Sequence, residues 1–228
     1  MSAAPQQSSA ETGLKTRHVF LDTQVYRQYG HNLNAKVLQS LLKQIKNGVC
    51  TLHITDITRM EIRRQLDEMA VDVAQSVNKA NKDMRRWKAR SVWPAKSEPP
   101  AYDVSAKDLA ESAIRDFNVG MMMNWEAESH DALNISPKEV FEAYFRRDPP
   151  FEKADSKEFP DAFVIAALDQ WCTQRNQHMY VVTRDGAMKR AAEKTSTLIP
   201  LSSLDELLQI IVQAQDPKIL SQDRKSVV

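Results

Sequence analysis

Four short runs of β-branched and aromatic residues, HVFLDT (18–23), VCTLHIT (49–55), MYVVTRD (179–185) and TLIPL (197–201), constrain this chain most. Each reads as a buried strand bounded by polar or turn residues. Helical stretches lie between and after them. The order is strand, helix, strand, several helices, strand, helix, strand, helix. Strands that alternate with helices in this way imply a parallel sheet with right-handed crossovers and helices on both faces. The expected fold class is therefore α/β, a central parallel sheet flanked by helices. Ligands of such sheets sit at the carboxyl ends of the strands.

The helical stretches follow from spacing and punctuation. After the first strand a loop with Gly30 and Asn32 leads to NAKVLQSLLKQIKNG. There Val37, Leu41, Leu42 and Ile45 share a face and Gly48 is the stop. Residues 56–90 contain no Gly or Pro and predict one long helix. Its apolar side is Ile57, Met60, Ile62, Leu66, Met69, Val73 and Val77. WPAKSEPPAYD is a proline-rich loop. A helix is predicted from Ser105, as N-cap, to about Ser129, and another over Ser136–Arg146, where SPKE has the form of a capping box. Met121, Met122 and Met123 read as core filler. FPDAFVIAALDQWCTQRN and GAMKRAAEK are helices, and SSLDELLQIIVQAQ is the closing helix, capped by Ser202 or Ser203.

Composition narrows the class. The chain has 228 residues with 31 basic and 30 acidic, a net charge of +1. That balance argues against a histone-like electrostatic binder but leaves room for a local basic groove. Cys50 and Cys172 are too few for a disulfide framework and lie in no Cys/His motif. They read as buried thiols in a reducing, cytoplasmic setting. No run approaches eighteen apolar residues, so no membrane span is expected. Residues 1–16 lack the apolar core of a signal peptide and read as a flexible tail. Residues 17–216 are expected to form the folded domain, with an inserted helical subdomain at about 67–150, and 217–228 a frayed tail. The five histidines show no ligand spacing along the chain, and no phosphate-binding loop or GxSxG elbow is present.

Four carboxylates stand out against this frame. Asp22 ends the first strand and Asp185 the third. Glu61 lies in the first turns of the helix after the second strand. Asp161 opens FPDAFVIAAL, where Phe163, Val164 and Ala167 face the core. Singly, each has an ordinary structural reading. Asp22 caps a loop; Glu61 pairs with Arg59 or Arg64 for about 0.3–0.5 kcal/mol; Asp161 favours a helix dipole for about 0.3–1 kcal/mol; Asp185 with Gly186 makes a turn. Asp22, Glu61 and Asp185 fall towards one end of one sheet, and Asp161, whose helix turn the sequence does not orient, would make a fourth there. Carboxylates that close repel unless cations enter. Oxygen donors suit Mg²⁺ or Mn²⁺, and such ions activate water in phosphodiester hydrolysis.

The stretches VFLDT, ITRMEIRRQL, FPDAFVIAAL and VVTRDGAMKRAA, taken in order, resemble the PIN domain nucleases, over about 165 residues. The likeness is to a bacterial PIN-like subgroup with extra helices between the second and third acids. It implies a Mg²⁺- or Mn²⁺-dependent nuclease, most often an endoribonuclease acting on RNA, in which Asp22, Glu61, Asp161 and Asp185 hold the metal. Thr183 matches a supporting position that is often Ser or Thr, and Thr23 is a second supporting candidate. Glu158 is the substitute for Asp161 if the match is shifted. Homodimerisation is common in the family. The departure is the long segment from 62 to 158, which leaves substrate choice open.

For a nucleic-acid partner the candidates are Arg63 and Arg64 beside Glu61, Lys157 before Asp161, and Arg85, Arg86, Trp87, Lys88 and Arg90 in RRWKARSVWPAK. Basic groups neutralise phosphates and aromatic faces stack on unpaired bases. The alternative for that tract is a solvated helix end with Trp87 and Trp93 packed under the insertion. Two rival functions stand beside the ribonuclease: a DNA or structure-specific nuclease of the same chemistry, and a scaffold protein with a degenerate site.

Overall fold

The computed structural model describes residues 13–90, 102–153 and 155–215. Five strands, β1 (His18–Leu21), β2 (Thr51–Thr55), β3 (Glu128–His130), β4 (Met179–Val182) and β5 (Leu198–Leu201), form one sheet. Eight α-helices connect and cover them: α1 (Thr23–Gln28), α2 (Lys36–Lys46), α3 (Asp56–Lys88), α4 (Ala106–Val119), α5 (Pro137–Arg146), α6 (Phe159–Arg175), α7 (Gly186–Glu193) and α8 (Leu204–Gln215). The strand order is β3-β2-β1-β4-β5 and every pairing is parallel. The expected α/β class is therefore observed.

The strands are apolar because both faces are covered. On one face Val19, Leu21, Leu52, Ile54, Tyr180 and Val182 pack with Leu38, Leu41 and Leu42 of α2, Ile62 and Leu66 of α3, and Leu204, Leu207 and Ile211 of α8. On the other, Phe20, Met179 and Val181 meet Val164, Ile165, Ala167, Leu168, Trp171 and Cys172 of α6, with Met188 and Ala191 of α7. Leu168 has no exposed surface. Leu168→Ala should cost about 2–5 kcal/mol, whereas Met123→Ala, at a side chain 65% exposed, should stay within about 0.5 kcal/mol. Urea denaturation of both variants checks this contrast.

Several expectations are corrected. The chain does not loop immediately after β1: α1 begins at Thr23, with Asp22 as its N-cap. The helix predicted to reach Ser129 stops sooner. α4 ends at Val119, a π turn spans Gly120–Asn124, and β3 follows as a fifth strand. A Cβ at Gly120 would lie 2.7 Å from Leu33 Cδ1, so a larger residue in this turn would make the Leu33 side chain move aside. Trp125, just beyond, is buried. Only Met121 of the three methionines is core; Met122 and Met123 face solvent.

The inward side of α3 is also narrower than its hydrophobic residues suggest. Ile57, Ile62, Leu66, Ala70 and Ala74 are buried, whereas Met60, Met69 and Val73 are exposed. Past its first turns α3 packs mainly on α4, and alanines let the two backbones approach. Ser136 precedes Pro137 but makes no side-chain cap bond, so the SPKE capping box does not form. Ser105 does cap α4, accepting from Asp108 N, and Ser203 accepts from Glu206 N at the start of α8. At the amino-terminal boundary Thr16 is buried and its hydroxyl donates to His178 O at 2.5 Å. Among the described residues no helix is long and apolar enough to cross a membrane. Cys50 and Cys172 are free and buried.

Candidate active site

The sheet reverses its build direction beside β1. From β1 the chain adds β2 and β3 on one side, then returns to place β4 on the other. The crevice at such a switch point, at the carboxyl ends of the strands, is where α/β sheets bind ligands. Asp22 leaves β1 at that crevice, its N–H donating to Val182 O of β4 at 3.0 Å. Glu61 lies in the second turn of α3, which leaves the same end of β2. α6 runs back to start β4 after only three residues. Its first turn, with Asp161, must therefore sit at the same carboxyl edge, an orientation that sequence alone left undetermined.

Asp185 is corrected from strand end to helix cap. β4 stops at Val182, and Asp185 Oδ1 accepts from Ala187 N at 2.7 Å and Met188 N at 2.9 Å at the start of α7. Two threonines tie the acids together. Thr183 Oγ1 donates to Asp22 Oδ2 at 2.7 Å and accepts from Asp185 N at 3.0 Å, bridging β1 to α7. Thr23 Oγ1 donates to Glu61 Oε2 at 2.5 Å, linking α1 to α3. Both threonines are buried.

The electrostatics show that these carboxyls share one environment. Burial pushes Asp22 up to about 6, against the hydrogen bond from Thr183, and the Glu61 charge adds to the rise. Asp161 is pushed up to about 8, first by burial, then by Asp22, Glu61, Glu158 and Asp185. The other three acids thus all act on Asp161, and Glu158, the N-cap residue of α6, joins them. Among the described residues no hydrogen-bond donor meets the Asp161 carboxylate. A half-buried acid among other acids, with no donor of its own, is a cation-seeking arrangement.

A family model described as a PIN domain matches residues 19–188. The chain belongs to the PIN domain family. The matched stretch contains all four acids and both threonines. Members of this family are nucleases with metal-binding acidic residues, and they use divalent metals. No curated protein and no solved structure matches the chain.

The basic candidates divide by position. Arg63, Arg64 and Lys157 are exposed on the segments that carry Glu61 and Asp161; Arg64 pairs with Glu68 at 3.3 Å. Arg85, Arg86, Trp87 and Lys88 form the last turn of α3 and Arg90 follows it. Twenty-six residues of helix separate Glu61 from Trp87, roughly 39 Å along the axis. This tract is therefore remote from the acids of the PIN domain. Trp87 is 55% exposed, with the Arg90 guanidinium 5.6 Å from its ring centre, so it is not packed beneath the insertion. Trp93 lies outside the described residues.

Sequence reasoning missed two features near the sheet. Arg59 donates to Asn118 Oδ1 and Ser129 Oγ, fastening α3 to α4 and β3. The histidines do converge: His18, His53 and His130 meet on one face of β1, β2 and β3. Linear spacing hides residues on neighbouring parallel strands; their inward parity was the available signal.

Proposed function

We propose that this PIN domain protein is a metal-dependent ribonuclease that hydrolyses phosphodiester bonds, with Asp22, Glu61, Asp161 and Asp185 holding Mg²⁺ or Mn²⁺. The observation that carries the reading is Asp161, a half-buried carboxyl pushed up to about 8 by burial, by acids from three other chain segments and by Glu158 of its own helix cap. The donor set is all oxygen, which suits Mg²⁺ or Mn²⁺ rather than softer ions. When bound, the ion supplies Lewis-acid polarisation of the phosphate and an acidified water.

The chain's own residues do the positioning. The Thr183 hydroxyl holds the Asp22 carboxylate by its Oδ2. The α7 amides fix Asp185 by Oδ1 and leave its Oδ2 for the crevice. Thr23 orients Glu61 in the same manner. Arg63, Arg64 and Lys157 are our candidates for the phosphates next to the scissile bond. Arg85, Arg86, Trp87, Lys88 and Arg90 would engage a distant part of a long substrate.

RNA as substrate class rests on the family likeness, and DNA is the competing reading. Labelled RNA and DNA of one sequence, mixed in equal amounts with the Mn²⁺-loaded protein, separate the two. We expect cleavage of the RNA at least about tenfold faster. Equal or faster cleavage of DNA would assign the second class, and cleavage of neither would favour a scaffold.

A further inference from the structure

Ten residues along α6 from Asp161, roughly 15 Å, Trp171 covers a second cluster of ligand-type side chains. His53, on β2, is fully buried. Its Nε2 lies 2.9 Å from His18 Nδ1, and its Nδ1 lies 2.7 Å from His130 Nε2. Glu128, which pairs directly with His53 across β2 and β3, brings Oε2 to 3.8 Å from His53 Nδ1. Its Oε1 accepts from Trp171 Nε1 at 3.1 Å. One ligand atom from each of His53, Glu128 and His130 falls within 4.8 Å of the others. We propose that His53, His130 and Glu128 bind a divalent transition-metal ion of the zinc class, with His18 and Trp171 as positioning residues.

Two imidazoles and one carboxylate are the donors such ions prefer, and they differ in kind from the all-oxygen set at the acidic edge. The outer contacts also fit. A ligating imidazole usually donates its other N–H to an acceptor that fixes its orientation, and a ligating carboxylate is itself hydrogen-bonded. His18 Nδ1 is placed to accept from His53 Nε2, and the Trp171 indole holds Glu128 by the oxygen that faces away from His53. Burial, then the flanking His130 and His18, holds the His53 imidazole far below its usual range, so its lone pair is available.

Tetrahedral coordination at about 2.0–2.1 Å sets the two ligand nitrogens about 3.3 Å apart. The His53 and His130 ring centres are 5.0 Å apart, close to the roughly 5 Å that geometry requires, so the rings need only tilt. Glu128 is 41% exposed, which gives the ion an entry path and leaves room for a water as fourth ligand. The consequence is structural. β3 is three residues long, and a metal would pin it to β2.

The test uses full-length protein carrying Asp22→Asn and Asp161→Asn, stripped with chelator and titrated with Co²⁺. One equivalent should bind with ligand-field bands of nitrogen coordination. Zn²⁺ at a hundredfold excess over its Kd should raise Tm by about 5–10 °C. Glu128→Gln should weaken Co²⁺ binding about tenfold to a hundredfold, and His130→Asn should abolish the bands. If His130→Asn does not fold, Glu128→Gln decides, because its amide oxygen still accepts from Trp171. No stoichiometric Co²⁺, or unchanged affinity in Glu128→Gln, would mean an imidazole hydrogen-bond string only and would overturn the proposal. Because the acidic edge is already disabled, neither outcome bears on the nuclease reading.

Discussion

Asp22→Asn is expected to lower RNA cleavage at least about a thousandfold, some 4 kcal/mol of barrier, while the protein stays folded. The side chain is buried, and its Oδ2 accepts from the Thr183 hydroxyl. Asparagine keeps the shape and can present its amide oxygen to that hydroxyl, so the β1–β4 bridge survives. What it removes is one negative charge beside Asp161, whose carboxyl is already raised by burial and by neighbouring acids, Asp22 first among them. Metal-free Tm should therefore hold or rise. Asp185→Asn is a useful companion, because asparagine caps a helix as well as aspartate does and α7 should remain intact. Cleavage at the wild-type rate by Asp22→Asn, at equal Mn²⁺, would remove these acids from the mechanism.

The second large effect is on stability against pH in metal-free protein. Asp161 titrates near 3.8 when unfolded and near 8 when folded. Between those values the folded state binds more protons than the unfolded state, so stability falls as pH rises. Asp22 behaves likewise up to about 6. The histidines of the sheet act in the opposite sense, as does the buried His31. His18, His53 and His130 have lowered folded values, so their contribution is lost as pH falls below about 6.5. The window free of that opposition runs from about 6.5 to 8 and belongs to Asp161. There the metal-free protein should lose about 2 kcal/mol, or roughly 3–8 °C in Tm. Asp161→Asn should flatten the slope and raise Tm at pH 8; excess Mn²⁺ should flatten it in the wild type. Calorimetry in chelator across that range is the measurement, and a flat or rising wild-type profile would contradict a half-buried, cation-seeking acid.

The legibility of this fold tracks the range of the forces involved. The strand runs and the α6 pattern were readable because burial on two faces leaves a local mark: continuous apolar residues with few polar interruptions. Caps at Ser105 and Ser203 were readable for the same reason, since a hydroxyl and an amide three residues on suffice. The three-residue β3 was not, because ESH has no strand character of its own. It is a strand because β2 offers an open edge and because Asp56 accepts from the Ala132 and Leu133 amides just beyond it. The outward turn of Met60, Met69 and Val73 was equally hidden. A long helix that crosses from the sheet to a single neighbour changes what its faces meet partway along.

Residue chemistry and chain order by themselves determined the class of the protein: a parallel α/β sheet, four acids in the order of the PIN domain family, and two thiols without partners. Only the tertiary structure decided which acids share an environment, that Asp185 caps α7, that the basic end of α3 stands roughly 39 Å from Glu61, and that three histidines meet under Trp171. The physical reason is that parallel crossovers join residues more than a hundred positions apart. A contact such as Thr183 to Asp22, 161 residues distant along the chain, leaves no periodic trace in the sequence to be read.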